Sequence, residues 1–189
     1  AFLPANDTID CGTPLPAIDT ISADDNCTGI VDVQFTLDTI NMGSGACGKY
    51  SYTQTRTWVA TDSCGNETVH TQFIVVQDTT PPSFDNMPDT IEVFSADFPP
   101  NQNCTVPVEL DAEQYFNDCS TIDEVAILIG GAPVTTDTLD ISGNYPVGDH
   151  KVFFTVTDAC GNVGKDSVLV KVIDNSIPTV VCNDNIVVA

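Results

Sequence analysis

One ten-residue stretch decides the fold, because it occurs twice in nearly the same form. Residues 57–66 read TWVATDSCGN, and residues 153–162 read FFTVTDACGN, 96 positions later. The correspondence continues without a gap as far as Pro82 and Pro178. In each copy a run of apolar and polar residues ends in Thr-Asp-x-Cys-Gly-Asn, a pattern typical of a half-buried strand followed by a tight turn. The chain is therefore built from a repeat.

A second signature opens each repeat and sets its boundaries. Residues 7–11 read DTIDC, residues 89–93 read DTIEV, and residues 184–188 read DNIVV. The spacing predicts two modules and the beginning of a third: 1–78, 79–174, and 175–189 as a linker with an orphan strand, which is either the start of the next module or a donor strand. The junctions DTTPP and DNSIP are short and stiffened by proline, so we expect a semi-rigid rod.

The composition favours an all-β protein and excludes several classes of partner. The 189 residues include 27 acidic and five basic side chains, for a formal net charge of −22. Such a chain cannot neutralise a phosphate backbone or dock on an anionic membrane, so we expect neither nucleic-acid binding nor membrane insertion. A hydrophobic content of 42% is sufficient for a folded core. About seven short strands per repeat predict two tandem immunoglobulin-like β-sandwiches, with Trp58 and Phe154 between the sheets.

The eight cysteines point to disulfides and an extracellular location. None lies in a CxxC pair, and the two histidines, His70 and His150, are far apart in the sequence, so a zinc cluster is not expected. An even number of cysteines in a β-rich chain favours an oxidising compartment. The chain begins at Ala1 without a signal peptide, and we interpret it as a processed product or a piece of a longer protein.

The sequence gives no support to an enzyme and predicts no catalytic residue. It has no nucleophile elbow, phosphate-binding loop or HExxH motif. His70 is predicted on a strand and His150 at a turn, and we expect both to be structural or exposed.

Several of these segments resemble the hyalin-repeat (HYR) and related immunoglobulin-like modules of bacterial surface proteins. The resemblance is carried by NYPVGDHKV at 144–152, the following strand and TDACGN loop, the DTTPP linker and DNC at 25–27. Repeat 1 departs from the pattern with ACGKY at 46–50, where the Pro-Val-Gly turn is expected. The resemblance implies tandem arrays in secreted adhesins and surface fibres, and no catalytic activity.

The immunoglobulin-like topology implied by this resemblance suggests a disulfide pattern. The B–C and F–G loops share one end of such a module, called here the leading end, and the A–B and E–F loops share the opposite, trailing end. Cysteines placed at the same end of one repeat give the pairs Cys27–Cys64, Cys119–Cys160 and Cys11–Cys47. The remaining pair, Cys104–Cys182, would staple the second junction. Alternatively, Cys182 pairs with a cysteine beyond Ala189 or in another chain.

Acidic residues in the loops and linkers suggest calcium sites. If the trailing end of repeat 1 meets the leading end of repeat 2, acids from the linker and two loops converge. They are Asp78, Asp85, Asp118 and Asp158, with Asp174 and Asp184 as the equivalents at the second junction and Asp25 and Asp62 at the first leading end. Calcium takes six to eight oxygen ligands, and clustered carboxylates on rigid loops provide them. The alternative is that these residues form turns and caps without a metal.

Seven triplets of Asp-Thr or Asp-Ser followed by an aliphatic residue or Thr suggest modification. They resemble the O-glycosylation motif of gliding, type IX-secreting bacteria. The candidate acceptors are Thr8, Thr20, Thr39, Thr79, Thr90, Thr138 and Ser167. The alternative is that polar-Thr-aliphatic is the ordinary sequence of a strand edge.

Three functions remain open on the sequence. The first is a structural spacer in an extracellular fibre or adhesin, whose partners are neighbouring modules or identical subunits. The second is a filament subunit that donates residues 178–188 as a strand to a neighbour. The third is a ligand- or carbohydrate-binding accessory module of a secreted enzyme, which predicts a row of exposed aromatic residues, although aromatic residues make up only 7% of the chain.

Overall fold

The computed structural model describes residues 3–27, 29–42, 45–97, 104–134, 136 and 138–178 and confirms the all-β fold. These residues form strands and three short 3-10 helices but no α-helix, and no helix among them is long and apolar enough to cross a bilayer. The strands are β1 (Asp7–Asp10), β2 (Ala23–Asp25), β3 (Gly29–Val31), β4 (Val33–Asn41), β5 (Tyr52–Thr61), β6 (Glu67–Gln77), β7 (Ser83–Phe84), β8 (Thr90–Phe94), β9 (Thr105–Val108), β10 (Phe116–Asn117), β11 (Ile122–Ile129), β12 (Ala132–Val134), β13 (Gly143–Pro146), β14 (Gly148–Asp158) and β15 (Val163–Ile173). The 3-10 helices are Gly45–Lys49, Ser95–Asp97 and Ala112–Tyr115.

The chain divides into two compact units whose limits differ from those of the repeats. The first comprises Ala1–Ser83, Phe116–Val125 and Thr155–Lys165, and the second comprises Phe84–Tyr115, Ala126–Phe154 and Asp166–Ala189. The first unit thus contains all of repeat 1 together with the two loops of repeat 2 that carry Cys119 and Cys160. The predicted module boundaries at residues 78 and 174 stay a prediction.

A four-stranded sheet forms the centre of the first unit. Its strand order is β1-β6-β5-β4, with β1 parallel to β6 and the other pairs antiparallel. Residues directly opposite each other share a face, so Phe35, Trp58 and His70 lie side by side. Trp58 is only 4% exposed, which confirms its prediction as a core residue.

The buried face of this sheet carries polar side chains that the alternation alone did not predict. Arg56 is 2% exposed, and its guanidinium donates to the carbonyl oxygens of Pro16 (2.7 Å) and Ala17 (3.1 Å) and to Gln54 Oε1 (2.9 Å). Gln72 Nε2 donates to the Ala5 carbonyl at 2.7 Å. Buried donors must find acceptors, and here these are mostly backbone carbonyls of segments without regular structure.

An irregular chain segment, and not a full second sheet, therefore covers the first unit. Residues 13–22 form no strand, and the prolines at 14 and 16 lack the N–H groups that a sheet ladder requires. Within repeat 1, the only described strand pair outside the four-stranded sheet is the short hairpin β2–β3. Repeat 1 thus forms one sheet of the predicted sandwich, and coil takes the place of most of the second sheet.

The second unit has strands on both sides of its core. The strand order β12-β11-β14-β15-β8 forms one sheet, and β13 pairs with β9 in another. Phe154 and Val170 from the first sheet are buried, as are Val106 and Tyr145 from the second, so the two sheets enclose one core. In this sheet β8 runs parallel to β15, as β1 does to β6, so each repeat pairs its opening strand with its last strand in the same way. This arrangement confirms the immunoglobulin-like class.

We expect the substitution Arg56→Ala to destabilise the protein by about 2–4 kcal/mol, because it removes a buried side chain together with its hydrogen bonds to the carbonyls of Pro16 and Ala17 and to Gln54. Urea unfolding monitored by Trp58 fluorescence measures the change. The matched control is Lys171→Ala, which removes a partly exposed ion pair with Glu92 (3.1 Å) and is expected to cost about 0–1 kcal/mol. Equal, small effects of the two substitutions would contradict this account of the first unit.

Candidate functional site

The repeated Thr-Asp-x-Cys-Gly-Asn segment folds into a closed loop around its aspartate. Asp158 Oδ1 accepts hydrogen bonds from the amides of Cys160 (2.8 Å) and Asn162 (2.9 Å), and Oδ2 accepts from Asn162 Nδ2 (2.9 Å). Asp62 makes the same three bonds with Cys64 and Asn66, at 2.8, 2.8 and 2.7 Å. The loop is thus set by its own sequence, and it presents a cysteine at its tip.

Two disulfides join repeat 1 to repeat 2 within the first compact unit. Cys11 is bonded to Cys119, with Cα atoms 5.8 Å apart, and Cys47 is bonded to Cys160, with Cα atoms 4.8 Å apart. The predicted pairs Cys11–Cys47 and Cys119–Cys160 are therefore wrong. Both cysteines of each predicted pair do lie at one end of a repeat, but at the first junction the two ends face each other, and each trailing-end cysteine bonds to a leading-end cysteine of the next repeat.

The predicted pair Cys27–Cys64 is also absent, because both residues are free, exposed thiols in this structure. They lie in the turn between β2 and β3 and in the turn between β5 and β6, respectively. Cys104 is likewise exposed and unbonded in the described part of the chain, whereas Cys182 lies outside the described residues. The pair Cys104–Cys182 therefore stays a prediction.

Three of the four acids predicted at the first junction form one cluster in the first unit. Asn162 Nδ2 bridges two of them, lying 3.2 Å from Asp78 Oδ1 and 2.9 Å from Asp158 Oδ2. Asp118 accepts a 2.7 Å hydrogen bond from Ser120 Oγ. Asp78 and Asp158 are only 6% and 1% exposed. The cluster thus brings the end of β6 together with two loops of repeat 2.

Two carboxylate oxygens of the cluster are buried without a hydrogen-bond partner. They are Oδ2 of Asp78 and Oδ1 of Asp118. Burial raises the pKa of the Asp78 carboxyl, and the charges of Asp158 and Asp118 raise it further, although the nearby Ser120 hydroxyl opposes them. A raised pKa means that the ionised form is disfavoured by folding, so this group lowers stability as the pH rises through its folded-state pKa. The only ion pair among the described residues is Lys171–Glu92, so no lysine or arginine compensates the cluster there.

The cluster meets the distance requirement of a cation site. Ligand atoms of Asp78, Asp118 and Cys119 lie within 4.8 Å of one another, as do those of Asp10, Cys11 and Cys119. Both cysteine sulfurs are engaged in the disulfide, so the donors that remain are oxygens, the type that hard divalent cations prefer.

The other predicted calcium ligands have different surroundings. Asp85 belongs to the second compact unit, where its amide donates to the Tyr115 carbonyl. Asp174 accepts hydrogen bonds from the Ser176 and Ser95 hydroxyls, and these bonds lower its pKa. It therefore acts as a turn residue. Asp184 lies outside the described residues. Asp25 and Asp62 line a cleft of about 170 Å³ together with Asp24 and Glu67. Hydrogen bonds from Asn66 lower the pKa of Asp62.

The candidate glycosylation acceptors are mostly accessible. Thr8, Thr20, Thr39, Thr79, Thr90 and Thr138 are exposed, and Ser167 is half-buried. In three triplets the aspartate accepts a hydrogen bond from the next amide, at Thr8 (2.8 Å), Thr39 (2.8 Å) and Ser167 (2.7 Å). The Asp-Thr pairs therefore also have a local structural use, and glycosylation stays a prediction.

Both histidines have structural partners. His70 Nε2 lies 2.9 Å from the Pro4 carbonyl oxygen, and its ring packs on Trp58 with centroids 5.8 Å apart. His150 Nε2 lies 2.7 Å from the Pro146 carbonyl oxygen, and its ring meets the Tyr145 ring edge-on at 5.5 Å.

No protein-family profile and no curated protein sequence matches the chain. Among solved structures, the fibronectin(III)-like modules of Clostridium thermocellum CbhA align over 95% of this chain and 95% of their own, at 14% identity and a TM-score of 0.33. The protocadherin GammaB4 extracellular domain aligns over 89% of this chain and 31% of its own, at 13% identity and a TM-score of 0.34. Protocadherin Gamma C5 EC1-3 aligns over 89% and 66%, at 13% identity and a TM-score of 0.32.

We expect Gly164→Ala to destabilise the protein by about 1–3 kcal/mol, because the new Cβ would overlap the Pro82 carbonyl oxygen and lie 2.8 Å from its carbon. The linker between the repeats would have to move to accommodate it. Thermal unfolding measures the effect. The control is Gly143→Ala, whose Cβ would meet no atom closer than 4.0 Å. A Gly164→Ala variant as stable as this control would show that the linker does not pack on β15.

Proposed function

We propose that the chain is a structural, non-catalytic spacer of an extracellular bacterial fibre or adhesin, built from modules of the hyalin-repeat kind. The observation that carries the proposal is the pair of disulfides Cys11–Cys119 and Cys47–Cys160, which join one repeat to the next. Bridges within a repeat would stabilise each module alone. Bridges between repeats make the joint itself covalent, as a spacer that is pulled or exposed to proteases requires.

The two bridges also restrict the unfolded chain strongly. They span 108 and 113 residues of sequence. In the chain-entropy model a bridge closing a loop of about 100 residues contributes about 4.7 kcal/mol, although the second of two overlapping loops adds less. Native domains are stable by only about 5–15 kcal/mol, so this contribution is large.

The free thiols Cys27 and Cys64 support an extension of the same joint. Cys64 occupies the loop position of Cys160, with the same hydrogen bonds around its aspartate, and Cys27 is the counterpart of Cys119. In repeat 2 both positions carry a bridge to the preceding repeat, whereas in repeat 1 both are exposed. We infer that Cys27 and Cys64 bond a cysteine pair at the trailing end of a further module. Each bond releases two protons and two electrons to a thiol–disulfide oxidoreductase or to oxygen.

Assembly by strand donation is a second candidate, favoured by the exposed edge of the first sheet. Strand β4 is nine residues long, and among the residues that the structure describes it has a partner, β5, on one side only. Phe35 and Leu37 lie on the core face of this strand and are 39% and 47% exposed. An unprotected edge of this length is a template for another strand. The carbohydrate-binding alternative predicts a row of exposed aromatic residues. In the first unit Trp58 is buried, and the exposed Phe35 and Phe73 lie on opposite faces of the sheet and form no such row.

Glycans on the exposed Asp-Thr triplets are consistent with a surface spacer, and we include them in the proposal. Attached sugars would shield strand edges such as β4, which carries the acceptor Thr39.

Non-reducing peptide mapping tests the covalent joint. We expect Cys11–Cys119 and Cys47–Cys160 in the oxidised 189-residue chain, with Cys27 and Cys64 alkylated in the monomer. If identical copies supply the partner cysteines, concentrated oxidised protein forms a ladder that reductant collapses. The double variant Cys27→Ser/Cys64→Ser should abolish the ladder, and the control Cys11→Ser/Cys119→Ser should retain it.

If a module of the same longer chain supplies them instead, the isolated chain stays monomeric. Mapping of native material then joins Cys27 and Cys64 to peptides outside this sequence. A Cys27–Cys64 bond, or two free thiols in native material, would overturn the extension of the joint. Filaments that survive reduction, and that disappear when residues 178–189 are deleted, would instead establish strand donation.

Glycopeptide mapping of native material tests the modification. We expect sugar on Thr39 and none on Thr36, an exposed threonine of the same strand that follows Phe35 and not an aspartate. The variant Asp38→Ala should abolish the modification of Thr39. Unmodified peptides for all seven acceptors would remove glycans from the proposed function.

A further inference from the structure

We propose that the carboxylates of Asp78 and Asp118 bind one calcium ion at the joint between repeats 1 and 2, with Asp158 as the buried neighbour that fixes the site. The inference deepens the proposed spacer function and rests on it only for the role of the joint. The site itself is argued from the atoms present.

The first argument is that the cluster contains acceptors without donors. Asp78 is 6% exposed, and its Oδ2 has no partner among the described residues, as is also true of Asp118 Oδ1. An unsatisfied buried acceptor costs about 1–3 kcal/mol, and more when it is charged. A cation that both oxygens coordinate removes this cost at once.

The second argument is distance. A carboxylate oxygen of Asp78 and one of Asp118 lie within 4.8 Å of each other. Calcium binds oxygen at about 2.3–2.6 Å, so two of its ligands lie at most about 5 Å apart. The pair therefore reaches across one ion without rearrangement of the backbone. The Ser120 hydroxyl, which already bonds Asp118, is a nearby neutral oxygen.

The third argument is that Asp158 cannot fill the same role. Its two oxygens already accept three hydrogen bonds, from the Cys160 and Asn162 amides and from Asn162 Nδ2. It therefore contributes negative charge and holds Asn162 against Asp78. The carboxylate oxygens of Asp78 and Asp118 that have no hydrogen-bond partner are therefore the atoms available to coordinate the ion.

The fourth argument selects calcium over magnesium. Magnesium demands a near-ideal octahedron at about 2.0–2.1 Å and keeps several waters, whereas calcium accepts irregular sets of oxygen ligands. The cluster draws its ligands from a linker and from a separate loop, and it has a serine and an asparagine beside them. Such an uneven arrangement suits the larger ion.

Thermal unfolding of the disulfide-bonded 189-residue chain in EDTA and in calcium chloride tests the site. At a calcium concentration about 100 times the Kd, the Tm should rise by about 5–10 °C. Magnesium at the same concentration should produce a smaller shift. Isothermal titration with calcium chloride should show this site as one binding event.

Asp78→Asn and Asp118→Asn should each abolish the calcium-dependent shift. In EDTA each variant should be at least as stable as the wild type, because it removes a charge from a crowded cluster. A residue with a merely structural role would instead lose stability in both buffers. The control Asp140→Asn, at an exposed turn where Asp140 accepts from the Ser142 amide, should keep the calcium shift.

A wild-type Tm that calcium leaves unchanged, or a shift that survives in both variants, would overturn the calcium site. Either result leaves the proposed spacer function standing if the bridges Cys11–Cys119 and Cys47–Cys160 are found by mapping. If mapping finds other bridges but the calcium shift is intact, the proposed spacer function is overturned and the calcium site stands. The two failures are thus distinguishable.

Discussion

The joint between the repeats depends on the hydrogen bonds that the Asp158 carboxylate accepts within its own loop. These bonds shape residues 158–162 so that Cys160 reaches Cys47 and Asn162 reaches Asp78. The equivalent loop around Asp62 has the same bonds although it carries no bridge. The loop is therefore formed by local sequence, and the joint uses a shape that already exists.

Much of the fold follows from short patterns in the sequence. The runs that precede the two Thr-Asp-x-Cys-Gly-Asn segments predicted strands that the structure places in β5 and β14, and the repeat predicted Trp58 and Phe154 as core residues. The coil over the first sheet could not be predicted in this way. Its cause is a buried arginine that binds carbonyl groups, and a binary pattern does not show what will cover a polar inward position.

The disulfide pairing failed for a different reason. Topology places two cysteines at each end of repeat 1 and two at the leading end of repeat 2, but this placement allows a bond within a repeat or across the junction. The spacing of cysteines in the sequence cannot separate the two, because the choice depends on how closely the ends of the repeats approach each other. The acidic cluster was more predictable, since the residue that follows β6 and the two loops have positions fixed by strand ends. Three of the four predicted acids, Asp78, Asp118 and Asp158, lie together, whereas Asp85 belongs to the second compact unit. Asn162 and Ser120 were missed as their partners.

The two disulfides and the acidic cluster act on the joint in opposite directions when no cation is bound. Cys119 follows Asp118 directly, and Cys160 lies two residues after Asp158, so the bridges tie together the segments whose charges repel. The covalent bonds keep these acids close without any ion. Calcium would then find its ligands already assembled, and it would lose little binding energy to ordering them. On this view the bridges determine whether the joint exists, and the ion determines how firmly it is packed. In a chain with a net charge of −22, burying several acids in one place costs free energy, and the two covalent bonds hold the acids together in spite of that cost.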